Sequence, residues 1–321
     1  MVRPSIGRAA RSPVLLIVGA ATRDVVAADP RGWRLGGGVS YGAMATARLG
    51  LSVRALIGVD PEAAAAPELA WLRRAGVDLR LVELRRGPVM ENRATPDGRL
   101  QLVQQASDPL PIEALPPAWR TPDGALLAPV AGELDDAWAT VFEPSMSLAL
   151  AWQGLLRRLI PGQPMAALPL RPRQLIERAD IALVSPDDVG PDAAALADLL
   201  TRTGQQLVIS RGERGAVHVS RAAAGLRWRH VPTIPAGEVR DSTGAGDVFL
   251  AAWFAAMLAG RRAGSPLGWR ALAVAAAAAS LSVRSTGLTG LAGPAEVCRV
   301  LRERQTPATP AAGSGPVEPA G

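Results

Sequence analysis

Asp241-Ser242-Thr243-Gly244-Ala245-Gly246-Asp247 sets two carboxylates around a pair of glycines, and the apolar run Val248–Leu258 follows at once. This is the pattern of a tight turn feeding a helix N-terminus. Unpaired backbone N–H groups and the helix dipole make such a turn an anion site. A carboxylate on the first turn, Asp247, can take a proton from a hydroxyl that attacks the bound anion. A bare Gly-x-Gly-Asp is equally well read as a glycine turn whose acid caps its helix; the full seven-residue string is far more specific.

A second glycine turn, Gly36-Gly37-Gly38-Val39-Ser40-Tyr41-Gly42-Ala43, precedes a helical pattern ending at Leu49-Gly50. Glycine there lets a ligand lie against main chain at a helix start. It is no dinucleotide fingerprint, because it does not directly follow the first strand and its spacing differs. Asp24 lies just past the strand pattern Val14–Val18 and offers several acceptor sites, as a polyol requires; a loop or capping Asp is the plain alternative. Ser185-Pro186-Asp187-Asp188 follows the strand pattern Ile181–Val184, and Ser210-Arg211-Gly212-Glu213-Arg214-Gly215 joins two others. Alone, that last segment is an ordinary β-turn. Glu133 and Gln153 follow Ala125–Ala128 and Leu148–Ala151, which places both at strand ends as candidate substrate contacts.

The elements that must position these residues alternate. Strand patterns at Val14–Val18, Val53–Ile57, Ala125–Ala128, Leu148–Ala151, Ile181–Val184 and Leu207–Ser210 are interleaved with helical ones at Tyr41–Leu49, Glu62–Arg74, Ala193–Arg202, Val248–Leu258 and Leu267–Ser282. Alternation of this kind predicts an α/β fold with a mostly parallel sheet and helices on both faces. Ligands in such folds gather at the C-terminal ends of the strands. Leu79–Val103 breaks the pattern, with Pro96-Asp97-Gly98 as a hairpin turn. We read it as an antiparallel insertion at about 79–104, joined by a smaller one at about 27–35. Residues 1–12 and 305–321 are Pro-, Ala- and Gly-rich and are expected to be disordered tails.

Composition narrows the function. The 321 residues carry 35 basic and 29 acidic side chains, a net charge of +6. Every basic residue is Arg, scattered in ones and twos rather than along a stripe, which argues against nucleic-acid binding. With no Lys there is no Walker-A loop. The single Cys298 excludes an internal disulfide and fits a reducing cytoplasm; it is expected in the core. His218 and His230 form no metal spacing, and no Gly-x-Ser-x-Gly elbow supports a hydrolase triad. Arg3, Arg8 and Arg11 before Val14–Val18 imitate a signal peptide, but the run is short and reads as a buried first strand. Ala271–Leu281 is too short and too weakly apolar to span a membrane.

From about Val14 to Leu301 the chain resembles the PfkB/ribokinase family of carbohydrate kinases, on the Asp241–Asp247 string and the Gly36–Gly50 segment. The resemblance implies a three-layer αβα sandwich over residues 13–304 with a small β lid. It implies ATP and Mg²⁺ as cofactors, with K⁺ an option. It implies Asp247 as general base, with Gly244, Ala245 and Gly246 forming an anion hole for the transferred phosphoryl group. Asp24, Gly36, Gly37, Tyr41, Glu133 and Gln153 would meet a small polyhydroxylated substrate. Ser210, Gly212, Gly215 and Thr243 would meet the nucleotide. Asp188 and Ser185 stand where the family has Asn-x-x-Glu and would hold Mg²⁺ through water. Asp241, with Thr243, would lie near a monovalent cation. Tyr41 stands where many sugar kinases have Asn; with Ser185, Glu133 and Gln153 it brings the chain nearer to inositol-kinase-like members than to ribokinase. A cytoplasmic protein is implied, with pairing of lids into a homodimer. A nucleoside acceptor, a non-catalytic binding relative and a nicotinamide oxidoreductase are the competing readings.

Overall fold

The computed structural model describes residues 12–95, 98–171, 173–264 and 268–305. Residues 1–11 and 306–321 of the expected tails lie outside this range, as do Pro96 and Asp97 of the expected hairpin turn.

Nine strands form the central sheet. From edge to edge they are Gly225–Val231, Ala216–Ala222, Gln206–Ser210, Ile181–Val184, Ser147–Ala151, Gly124–Leu127, Val14–Ala20, Ser52–Val59 and Asp78–Glu83. The last seven are parallel, and the first two extend the sheet antiparallel. Strands buried on both faces read as unbroken apolar runs. Leu15 and Ile17 accordingly enter one core and Leu16 and Val18 the other, and Ala149 and Leu150 divide in the same way.

The two faces are covered differently. One carries the helices Gly38–Arg48, Ala245–Arg262 and Trp269–Ser282, whose Val248, Ala251, Ala252 and Ala275 are buried against the strands. The other is roofed by short helical turns, among them Pro117–Trp119, Asp136–Thr140 and Gln174–Arg178, and by the ten-residue 3₁₀ helix Gly190–Leu199, which stands in place of the expected helix Ala193–Arg202. There Trp119, Trp138 and Trp152 supply the bulk that long helices would have provided. The expected helix Glu62–Arg74 is two pieces, Pro61–Ala64 and Pro67–Arg74, because Pro67 cannot continue the first.

A separate four-stranded sheet runs Trp33–Gly36, Thr22–Val25, Val89–Thr95, Gly98–Gln105. This is the small β lid, with one correction. Asp78–Glu83 pairs parallel with Ser52–Val59 as the edge of the central sheet and does not belong to the insertion. In its place Thr22–Val25 joins the lid, carrying Asp24 with it. Ion pairs root this sheet in the body: Arg31 with the buried Glu68 (2.6 Å) and Arg23 with the buried Asp60 (2.9 Å). Cys298 is exposed rather than in the core, since the last helix buries Val297 and Val300 on its opposite side.

Candidate active site

The helix Ala245–Arg262 starts from Gly244, which is left-handed at φ 77°. The conformational demand of the turn falls on this glycine. Gly246, by contrast, is helical, and a Cβ there would meet only Leu183 at 3.6 Å. Asp241 fastens the turn, its Oδ1 accepting from the Thr243 N–H at 2.9 Å. Ala245 donates to the Ser242 carbonyl at 3.3 Å. Gly246 and Asp247 come next, on the turn where N–H groups have no intrahelical acceptor.

Gly244, Ala245, Gly246 and Asp247 line a cavity of about 1020 Å³ at the C-terminal ends of the strands. Ser185, Ser210, Gly212, Gly215 and Gln153 line it too. Thr243 and Asp188 are not on its wall; Ser242 and Arg157 are. The far side is the apolar stretch Pro232–Gly237 and, on the helix Trp269–Ser282, Ala276, Ala279 and Ser280. The Ser280 hydroxyl is buried there without a hydrogen-bond partner. A cavity of this size, largely apolar on its far side and with polar side chains and a glycine turn on its near side, has room for a nucleotide.

The other glycine turn also reaches Asp247, through Gly38. Gly37 has φ 86°, and a Cβ there would fall 2.8 Å from the Ala20 carbonyl oxygen. Gly36 has no room for a side chain because the Asp24 carboxylate takes its place. Asp24 also accepts from the Thr22 hydroxyl at 2.8 Å. Asp24, Gly36 and Gly37 are therefore gathered near Asp247 but off the wall of the cavity that Asp247 lines.

Burial pushes the Asp247 carboxyl up to about 7; Asp24 and Asp188 push in the same direction and Arg157 opposes them. Burial, then the nearby Asp24, Asp241 and Asp247 charges, holds the Tyr41 phenol well above its ordinary range. Tyr41 is buried beneath the anion turn rather than spread along a substrate surface.

Two sequence expectations are corrected. Glu133 does not face the cavity: its buried carboxylate accepts from the N–H groups of Ala20 (3.0 Å), Val130 (3.1 Å) and Ala131 (2.8 Å) and braces the loop after Gly124–Leu127. Asp188 does not offer a carboxylate to a metal. Its Oδ1 accepts from Arg157 at 2.9 and 2.5 Å, and its Oδ2 from the Ser185 N–H at 2.9 Å. Among the described residues no group of three His, Cys, Asp or Glu could hold a metal ion. The Ser185–Asp188 pair therefore does not fit Mg²⁺. One faint signal for Arg157 is its spacing: it lies four residues after Gln153, whose side-chain oxygen it meets at 3.1 Å.

Residues 179–293 match the pfkB family carbohydrate kinases. Over that third of its length the chain is similar to the PfkB kinases, and the whole of it has a ribokinase-like fold. No curated protein matches it in sequence. Its fold is shared with a pyrophosphate-dependent kinase in the ribokinase family complexed with a pyrophosphate analog and myo-inositol (TM-score 0.67, 18% identity, 85% of this chain and 96% of that one). The nucleoside kinase of Methanocaldococcus jannaschii (0.65, 18%, 91% and 99%) and the ribokinase of Cryptococcus neoformans in complex with ADP (0.63, 18%, 90% and 99%) share it as well. The PfkB match and the common fold indicate a carbohydrate kinase, a phosphotransferase acting on alcohols. Among the described residues, no helix is long and apolar enough to cross a membrane.

Proposed function

We propose that this PfkB-type enzyme transfers the terminal phosphoryl group of ATP to a hydroxyl of a small sugar, polyol or inositol. One observation carries the reading: Asp247 stands where the two glycine turns meet, on the wall of the nucleotide-sized cavity and close to Asp24, which with Gly36 and Gly37 lies off that wall. The acceptor hydroxyl attacks the γ-phosphorus. An O–P bond forms, the bridging bond to the β-phosphate breaks, ADP leaves, and the hydroxyl proton passes to Asp247. A loose phosphoryl-transfer transition state asks chiefly for positioning and charge stabilisation. The N–H groups of Gly246 and Asp247, with the helix dipole behind them, supply that at the γ-phosphoryl oxygens.

Ser210, Gly212 and Gly215 lie along the nucleotide in this reading, and Gln153 lies near the point of transfer. Asp24 takes substrate hydroxyls as acceptor. The inositol-containing neighbour favours a polyol over a nucleoside as acceptor. The test is ADP release from ATP and Mg²⁺ against a panel of sugars, inositols and nucleosides. A polyol or sugar should turn over, and Asp247→Asn should reduce kcat by about 10²–10⁴-fold with ATP affinity kept. Turnover by Asp247→Asn at the wild-type rate would remove the base from the scheme.

A further inference from the structure

Arg157 is the cation of the donor cavity. It sits on the short strand Arg157–Arg158, which pairs antiparallel with Ala166–Ala167 after the turn Trp152–Leu155. Its side chain is 9% exposed and lines the cavity together with Ser185, Gly246 and Asp247. Nε and Nη2 donate to Asp188 Oδ1, and Nη2 also reaches Gln153 Oε1. Nη1 makes no hydrogen bond among the described residues. The partner carboxylate of Asp188 is 1% exposed and is closed off on its other oxygen by the Ser185 N–H.

Burying such a pair costs several kcal/mol per ion in lost hydration, so as a stabilising device it is poor value. It makes sense as a device for placing charge. Asp24 and Asp188 both lie close enough to Asp247 to add to its negative surroundings. A triphosphate or pyrophosphate entering beside three acids needs a fixed positive group. A guanidinium is always charged, and its planar fork matches phosphate oxygens.

We propose that Arg157 clamps the phosphoanhydride of the donor, and that Asp188 and Gln153 serve to hold its guanidinium in position rather than to bind a metal. The proposal rests on the kinase reading above. The ligand chemistry is a phosphoanhydride, whose two sources are a nucleotide and inorganic pyrophosphate. In either case Arg157 supplies positive charge beside the bond that breaks, and the proton still goes to Asp247.

Titration calorimetry in chelator, without added metal, tests it with ADP, pyrophosphate and adenosine. Wild-type protein should bind ADP or pyrophosphate under these conditions. Arg157→Met should weaken that binding by about 10–100-fold, the range for hydrogen bonds to charged groups, and leave adenosine affinity unchanged. Arg157→Lys should fall between. Because Arg157→Met strands a buried carboxylate, the double variant Arg157→Met/Asp188→Asn provides a folded comparison and should show the same loss. A loss on both phosphate ligands supports the clamp for a nucleotide donor; a loss on pyrophosphate, where ADP does not bind at all, supports it for pyrophosphate. A folded double variant that binds either ligand as wild type does would overturn the proposal and leave Arg157 a structural ion pair. Wild-type protein that binds neither phosphate ligand, with or without Mg²⁺, would remove the kinase reading itself.

Discussion

Gly38 and Asp247 face each other so closely that a methyl group on Gly38 would lie 2.7 Å from Asp247 Oδ1. The contact joins the start of one helix to the first turn of another, 209 residues later in the chain. Gly38→Ala is therefore expected to move the carboxylate most, with an adjustment of a few tenths of an ångström where the methyl meets the Ala128 Cβ at 3.1 Å. A misplacement on the scale of 1 Å can cost on the order of 10²-fold in rate. We expect kcat to fall by about that factor with the melting temperature nearly unchanged. Parallel kinetics and thermal melts decide it; full activity in Gly38→Ala would mean that Asp247 has other room.

The raised Asp247 pKa gives two linked expectations. As a base it must be ionised, so kcat/KM for the acceptor should rise with pH through about 7. For stability the sign runs the other way. The folded pKa lies above the ordinary aspartate value of 3.8, so between the two the folded state holds more protons than the unfolded chain. Stability from this site is full at low pH and is lost as pH rises towards 7. Asp247→Asn should thus be more stable than wild type above pH 7, with the difference vanishing in acid. Denaturant unfolding at several pH values measures it, and equal stabilities at alkaline pH would contradict it.

Glu133 shows where reading by position stops. Its place after a strand end fits a substrate contact, and a linear sequence gives no sign that three N–H groups converge on its carboxylate. Asp188 is a similar case: the motif position was legible, but its partner Arg157 comes from a two-residue strand too short to leave a pattern. What was legible rested on periodicity and glycine. The two-sided apolar runs gave the parallel sheet, and the Asp241–Asp247 string gave the turn at the head of a helix. Leu79 and Leu81 were misplaced into the lid because an edge strand, half-exposed, alternates like a hairpin.

Removing the Glu133 carboxylate should accordingly act on folding. Glu133→Ala leaves the N–H groups of Ala20 and Val130 buried without acceptors, at about 1–3 kcal/mol each. We expect a drop in unfolding free energy of that order. At a temperature where the variant is folded, the acceptor KM should change far less than stability does. A large rise in acceptor KM at unchanged stability would return Glu133 to the substrate site.

Tyr41 and Gly244 give the last expectation. A Cβ on Gly244 would fall 2.5 Å from ring atoms of Tyr41, so the ring is the floor on which the anion turn rests. Asn, the commoner residue in similar sugar kinases, is smaller and would leave a void under that turn. Large-to-small changes at buried aromatics cost about 3–5 kcal/mol when cut to Ala, and the Asn variant should lose somewhat less. Tyr41→Asn is thus expected to lower stability and kcat together, for every acceptor alike, instead of shifting preference among polyols. Tyr41→Phe keeps the ring and removes the hydroxyl that the Asp24, Asp241 and Asp247 charges surround; it should stay folded and active. Unfolding curves with acceptor kinetics on both variants separate the two roles. If Tyr41→Asn stays as stable as wild type and changes only acceptor choice, the ring is a substrate contact after all.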